Sequence, residues 1–152
     1  MPERRILSRA EIDELLHDEL VARIGCQGDG EVYVVPIIYA YADGAFYVAS
    51  VEGRKIELMR ASPRVCFEVD RYEQGSWRSA IVYGRYEELH GDDVERTLDL
   101  LAARFGRKRE RQVGPGTVCF RIVAEQLSGR ASSAEAQRVS SPLAVMCDAS
   151  DG

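Results

Sequence analysis

The chain has 152 residues, which is enough for one compact domain with a buried core. Its 45% apolar and 30% charged residues are ordinary values for a soluble globular protein. A formal net charge of -5 argues against nucleic acid as the main partner, because duplex binders usually present a basic face. The sequence also lacks the roughly 18 unbroken apolar residues of a spanning helix and the apolar core of a signal peptide. We therefore expect a cytoplasmic protein without a membrane partner.

A helix is predicted near the N-terminus. Ser8 and Glu11 form an S-x-x-E capping box. Apolar residues then recur at helical spacing, which predicts a helix over residues 9–18.

Strands dominate the next segment. The runs "LVARIGCQ", "EVYVVPIIYAYA" and "AFYVAS" are rich in β-formers, and Asp43-Gly44 is a hairpin signal before the last of them. Pro36 cannot donate a hydrogen bond to a ladder, so its strand is predicted to lie at an edge or to carry a bulge.

The second half of the chain continues this pattern. A second helix is predicted to begin near Arg54 and to end before Pro63. A third helix is predicted between Asp92 and Gly106. The strands "RVCFEVD", "SAIVYGRYEEL" and "GTVCFRIVAEQL" complete a set of about six strands and three helices. From about Ser128 the composition turns to serine, alanine and isolated charges, typical of a loosely docked tail.

These elements predict a mainly β protein, an antiparallel barrel with peripheral helices. Only two strand-to-strand connections contain a helix, so a doubly wound α/β fold is not expected. The predicted barrel domain spans residues 1–130, and residues 131–152 form a flexible tail.

The four cysteines are scattered singly, without a C-x-x-C pair. We therefore expect neither a metal site nor disulfides. Three of them lie in apolar strand-like runs and are predicted to be buried: Cys26, Cys66 and Cys119.

Two cations stand where a strand turns into a helix. Gly53, Arg54 and Lys55 open the second helix, whose N-terminal end is already positive. Unpaired backbone N–H groups and two cations together would suit an anion, and phosphate best of all. The alternative is an ordinary solvated first turn.

A second candidate lies at the mouth of a strand. Trp77, the only tryptophan, is followed by Arg78 and Ser79. An aromatic ring with adjacent donors can pack on a planar ligand and hydrogen-bond to its polar edge. The alternative is that Trp77 simply covers the end of the barrel.

Taken in order, these segments resemble a known family. The runs "VVPIIYAYADGAFYVAS", "VEGRKIELMRASPRVCFEVD" and "SWRSAIVYGRYEEL", and a last strand ending "SGR", are similar to pyridoxamine 5'-phosphate oxidase-like proteins with the FMN-binding split β-barrel. The nitroimidazole-resistance branch is the most similar, and the resemblance covers about residues 8–130. It implies a homodimer with FMN at the subunit interface.

The resemblance also implies roles for individual residues. The FMN phosphate would be held by Arg54 and Lys55. Main-chain groups of one strand would line the isoalloxazine ring at Val35, Pro36, Ile37 and Ile38. A second strand would flank the ribityl chain at Val48, Ala49 and Ser50. Ser79 would hydrogen-bond to the flavin, and Trp77 or Arg78 would reach a flavin held mainly by the other subunit.

Two features depart from the family. Val48 stands where nitroimidazole-resistance proteins carry a histidine, and the only histidines, His17 and His90, are predicted to be surface residues. The C-terminal segment that true pyridoxamine 5'-phosphate oxidases use on their substrate is not recognisable. We therefore do not expect oxidation of vitamin B6.

The function expected from the resemblance is an FMN-dependent oxidoreductase acting on a small, planar, electron-poor molecule. No nucleophile motif or metal-ligand spacing is present, so the chemistry would be the cofactor's own. Ile37, Ile38 and Val48 would form an apolar lining, and Arg78 would meet an anionic or nitro group. Deazaflavin or haem are the alternative cofactors, and a non-catalytic binding or sensing dimer is the alternative function.

Overall fold

A computed structural model describes residues 4–109 and 113–132. In chain order the elements are β1 (Arg4–Ile6), α1 (Arg9–Asp18), β2 (Val21–Gly28), β3 (Glu31–Ile38), β4 (Ala40–Ala42), β5 (Ala45–Val51), α2 (Arg54–Ala61), β6 (Arg64–Glu73), β7 (Ser76–Glu88), α3 (Asp92–Phe105) and β8 (Thr117–Ser132).

The strands form one antiparallel sheet that does not close. Its order is β3-β2-β6-β7-β8-β5-β4, and β1 pairs with β8. β3 and β4 therefore lie at the two ends of the path, and the barrel is split between them. This confirms the predicted mainly β split barrel with peripheral helices. It also confirms that the strand of Pro36 is an edge strand.

The strand count differs from the prediction of about six, because the described residues form eight strands. β1 has three exposed residues and no apolar pattern, so its sequence gives no strand signal. The long run after Glu31 divides at Tyr39, whose side chain is fully buried. The Tyr39 hydroxyl donates to the carbonyl of Leu16 at 2.8 Å, and its backbone N–H donates to the carbonyl of Leu20 at 3.3 Å.

The last strand is longer than predicted. β8 continues past Leu127 to Ser132, and Ala131 pairs with both Arg5 of β1 and Arg78 of β7. Polar composition suggested a tail from Ser128, but pairing on both sides keeps this segment in the sheet. Residues 133–152, which make up nearly all of the predicted tail, lie outside the described residues.

The helices agree with the predictions. α1 has the predicted bounds, and both bonds of its capping box are present: Ser8 Oγ accepts from the Glu11 N–H at 3.2 Å, and Glu11 Oε1 accepts from the Ser8 N–H at 3.1 Å. α2 ends before Pro63. α3 ends at Gly106, which adopts the left-handed conformation with φ 61°. No helix in the described part of the chain is long and apolar enough to cross a membrane.

The larger of two hydrophobic clusters among the described residues is formed by inward-facing side chains of the sheet together with α1 and α2, and the smaller one, which contains Cys119, packs against α3. The aromatic centre of the larger cluster contains Phe46 and Phe67, with ring centroids 4.2 Å apart. Cys26 and Cys119 are buried as predicted, whereas Cys66 is half-buried. Burial raises the pKa of the Cys26 thiol to about 11. Among residues 4–109 and 113–132, no cluster of three or more metal-ligating side chains occurs.

Candidate functional site

The split in the barrel leaves two strand edges open. β3 pairs only with β2, and β4 pairs with β5 only at Ala45–Tyr47, so in the described structure Val48–Val51 has a ladder only to β8. Unpaired edges present main-chain N–H and C=O groups to whatever lies beside them. The two stretches predicted to contact the cofactor, Val35–Ile38 and Val48–Ser50, lie on these two edges.

The side chains on these edges do not all face outward. Ile37 and Val48 are only 8% and 1% exposed and belong to the core, and Val35 is half-buried against it. Ile38, on the opposite face of the same strand, is 41% exposed. The predicted apolar lining from Ile37 and Val48 is therefore wrong, because alternation along each strand turns these side chains inward. At 1% exposure the whole of Val48 is closed to a ligand in the protomer, whereas Ala49 and Ser50 on the same edge are half-buried.

The start of α2 adjoins the open end of β5. Gly53 has an extended backbone with φ 171°, and no side chain caps the helix. A Cβ built on Gly53 would meet no atom within 4 Å, so the approach to the first turn is clear. The N–H groups of this turn are therefore available to an anion. Ser50 lies nearby in sequence, and its hydroxyl donates only a long bond of 3.4 Å to the carbonyl of Val51.

Arg54 is already paired with carboxylates. Its guanidinium lies 2.7 Å from Glu31 Oε2, 3.6 Å from Glu57 Oε2 and 3.9 Å from Asp29 Oδ2. The bond to Glu31 raises the pKa of Arg54. This pair links the start of α2 to the first residue of β3 and so spans the split. An anion at this turn would have to share Arg54 with Glu31.

Lys55 occupies the same turn and is half-buried. Its charge acts to lower the pKa of the Cys26 thiol of β2, against the larger effect of burial. Arg54 thus contacts the β2–β3 hairpin through Asp29 and Glu31, and Lys55 follows it in the same turn of α2.

The third predicted group lies elsewhere in the protomer. The Ser79 hydroxyl donates to Glu68 Oε1 at 3.3 Å. Arg78 points to the opposite face of β7, where its guanidinium lies 3.6 Å from Glu11 Oε2 of α1. The N–H of Trp77 donates to Ser132 Oγ at 3.1 Å. Trp77 and Arg78 line a polar cavity of about 220 Å³ beside α1, and no residue of α2 lines this cavity.

An apolar surface that was not predicted covers the outward side of β2, β3, β6 and β7, here called the outer face. Its large apolar side chains are 40% to 83% exposed: Val21, Val32, Val34, Ile38, Ile81 and Tyr83. The signal for it was present in "EVYVVPII", where apolar residues do not alternate with polar ones. Such a run is typical of a strand covered on both sides.

A groove of about 370 Å³ crosses the outer face. Gly25 leaves its floor open, and its lining includes Arg23, Val34, Cys66, Glu68 and Tyr83. A groove of this size that is mostly apolar, with a few charged groups, is typical of a binding surface.

Glu68 is the unusual charged group in this groove. Arg23 Nη1 lies 3.8 Å from Glu68 Oε2 and 3.2 Å from Asp70 Oδ2, so one cation serves two carboxylates. Burial, and then the neighbouring Asp70, raise the pKa of Glu68 to about 7. The sequence places Glu68 and Asp70 on one face of a strand, but Arg23 reaches them only through sheet pairing.

The comparison with known families decides the identity. The family model described as pyridoxamine 5'-phosphate oxidase matches residues 8–131, most of the chain. The chain belongs to this family. The predicted family is therefore confirmed, and the match to the family model extends to residue 131, near the C-terminal end of β8.

Solved structures agree with this assignment. An FAD-binding protein from Mesorhizobium loti is 41% identical, with 86% of this chain and 99% of that chain covered at a TM-score of 0.73. A suspected 5-nitroimidazole antibiotic resistance protein from Bacteroides thetaiotaomicron is 19% identical, with 86% and 89% covered and a TM-score of 0.74. The second likeness shows the shared fold alone.

A curated relative matches the chain over only part of its length. An uncharacterized protein from Rhizobium meliloti is 36% identical over 86 residues, which is 56% of this chain and 57% of that protein. The chain thus matches little more than half the length of this relative.

Proposed function

We propose that this member of the pyridoxamine 5'-phosphate oxidase family binds a flavin nucleotide in the split of its barrel and acts as a flavin-dependent oxidoreductase. One observation carries the proposal: two open strand edges flank the split, and the cations Arg54 and Lys55 lie at the free end of α2 beside it. The 41% identical protein from Mesorhizobium loti is described as FAD-binding, which supports a flavin.

The residues fit the FMN moiety, either free or as part of FAD. The phosphate next to the ribityl chain would meet Arg54, Lys55 and the free N–H groups of α2. The main chain of Val35–Ile38 and of Ala49 and Ser50 would face the ring and the ribityl chain. When bound, the flavin supplies hydride and electron transfer. We favour FMN, and the likeness to an FAD-binding protein makes FAD the second candidate.

We also propose that the protein is a homodimer joined through the outer face. Six large apolar side chains are exposed there, and large exposed apolar patches mark interaction sites. Packing two copies together would cover this patch, and symmetric dimers are the commonest oligomers. Trp77 of each copy would then approach the flavin held by the other, whereas Arg78 points to the face opposite this interface and pairs with Glu11.

The first experiment is the visible spectrum of the freshly purified protein. We expect a flavin band that survives gel filtration, and the mass of the released cofactor distinguishes FMN from FAD. A Soret band would show that the cofactor is haem and not a flavin. A deazaflavin would be recognised by the mass of the released cofactor.

The second experiment removes the two cations. Each charge-assisted phosphate contact contributes about 1.5–3 kcal/mol. The double variant Arg54→Ala/Lys55→Ala should therefore raise the dissociation constant of FMN roughly 10²- to 10⁴-fold. The matched control is Arg107→Ala/Lys108→Ala, which removes the same dipeptide from an exposed position after α3. Equal affinity in both double variants would refute the phosphate assignment.

The third experiment tests catalysis. The flavin-loaded protein is mixed anaerobically with NADH or NADPH, bleaching is followed, and a quinone or nitroaromatic acceptor is then added. We expect electron transfer to a small planar acceptor to be faster than with free FMN. If the protein is no faster, it is a non-catalytic flavin-binding or flavin-sensing dimer.

A further inference from the structure

The carboxylate Glu68 lies inside the apolar outer face and not at its rim. Sheet pairing places Pro36, Arg23, Glu68 and Ile81 opposite one another on four adjacent strands. Neighbouring strands are about 4.8 Å apart, so this row crosses the outer face within about 15 Å. Val34 and Tyr83 line the groove beside the same row. Anything that covers the outer face therefore covers Glu68.

The charges around Glu68 do not balance when it is ionised. Arg23 contacts Glu68 and Asp70 together, which leaves one negative charge in excess. Ser79 donates a hydrogen bond but carries no charge. The second cation of the groove, Arg64, lies four residues from Glu68 on the same strand and stacks 5.7 Å from the ring centroid of Tyr83. Arg64 forms no ion pair with Glu68 in the described part of the chain, so it does not offset this charge locally.

Covering this cluster would remove water from an uncompensated carboxylate, which is costly. If Glu68 is protonated, Arg23 and Asp70 form a neutral pair and Glu68 is a neutral acid that accepts from Ser79. The neutral state is accessible, because burial and Asp70 already raise the pKa of Glu68 to about 7 in the single protomer. Two identical faces brought together would double the excess charge.

We propose that two copies of this chain associate through the outer face with uptake of a proton on each Glu68, so that the dimer is weakened by alkaline pH. This inference rests on the proposed homodimer. The direction of the pH dependence follows from the pKa of Glu68. Burial in the dimer raises this pKa further, so association is favoured below about pH 7, where Glu68 is protonated, and is opposed above it, where Glu68 is ionised. The effect should reach the cofactor, because the flavin is proposed to lie at the subunit interface.

The test is the dissociation constant of the dimer, measured by sedimentation equilibrium from pH 6.0 to pH 8.5 at fixed ionic strength. For the wild-type protein we expect the constant to rise at least ten-fold. Glu68→Gln keeps the shape of the neutral acid. Its dissociation constant should therefore stay, across the whole pH range, at the value measured at pH 6.0. In Asp70→Asn, Arg23 has only Glu68 as an anionic partner. The dissociation constant should therefore rise less between pH 6.0 and pH 8.5 than it does in the wild type.

The matched control is Glu73→Gln, on the same strand but exposed and outside the groove, which should behave as wild type. If the dimer stays intact at the lowest measurable concentration, the rate of subunit exchange between labelled dimers is compared instead. It should accelerate at pH 8.5 in the wild type but not in Glu68→Gln.

The outcomes separate the two proposals. A dimer whose dissociation constant or exchange rate does not change with pH would overturn the proton uptake and leave the homodimer standing. A rise that persists in Glu68→Gln would also overturn it. A monomer at every pH would refute the homodimer and this inference together. Tighter association at high pH would mean that the second copy supplies a cation to Glu68, and would overturn it too.

Discussion

The two faces of β6 carry different tasks. Val65, Phe67 and Val69 point inward and are almost completely buried, whereas Cys66 and Glu68 point outward and are half-buried. The inward set belongs to the core that joins the sheet to its helices. The outward set belongs to a groove on an apolar face that no part of residues 4–109 and 113–132 covers. Alternation along one strand thus separates the residues that stabilise the fold from those available for binding.

The largest effect should come from the inner face. Phe67 is fully buried and packs against Phe46 and Tyr39. Phe67→Ala should lower the free energy of unfolding by about 3–5 kcal/mol, because it removes buried area and leaves a cavity. Cys66→Ala, one residue away on the outer face, should cost much less. Urea unfolding of both variants measures the difference, and similar losses would contradict the separation of the two faces.

Two glycines provide a subtler comparison. A Cβ on Gly84, at the irregularity in the β7–β8 ladder, would lie 2.6 Å from the carbonyl oxygen of Val123 and 2.7 Å from Ile122 Cγ2. On Gly25, in the outer groove, the nearest atom would be 3.5 Å away, an ordinary contact.

Gly84→Ala should therefore lower the free energy of unfolding by about 1–3 kcal/mol, since backbone must move. Gly25→Ala should change it little, but should weaken the dimer because it fills the groove. Thermal unfolding and sedimentation of both variants check this. A Gly25→Ala protein that is as unstable as Gly84→Ala would show that the groove is part of the folded core.

The smallest expected effect is the pH dependence of stability at Glu68. Its pKa is raised in the folded protein to about 7. Ionisation therefore costs folding stability, and the loss grows as pH rises from the unfolded pKa, about 4.3, through 7. Glu68→Gln should match the wild type at pH 4 and have the higher melting temperature at pH 8. If the difference in melting temperature between Glu68→Gln and the wild type were the same at pH 4 and pH 8, the pKa of Glu68 would not be raised in the folded protein.

The sequence by itself determined the helices and the type of fold. The capping box of Ser8 and Glu11, the stop before Pro63 and the left-handed Gly106 are signals within a few residues of each helix end, so their bounds were predictable. Hairpin signals and β-rich runs were enough for an antiparallel barrel, and the family resemblance added that the barrel is split. The family motifs identified Arg54 and Lys55 as candidate phosphate ligands, and they occupy consecutive positions in the first turn of α2, where Arg54 pairs with Glu31 of β3.

Tertiary structure decided which side chains face the site. Val48 and Ile37 looked like pocket residues, but their inward orientation depends on the register of β5 with β8 and of β3 with β2. Glu31 reaches Arg54 from 23 positions away, and Arg23 reaches Asp70 from 47 positions away. Such contacts depend on which strands become neighbours. Local patterns cannot encode this, because they record the alternation along a strand but not the strand placed beside it.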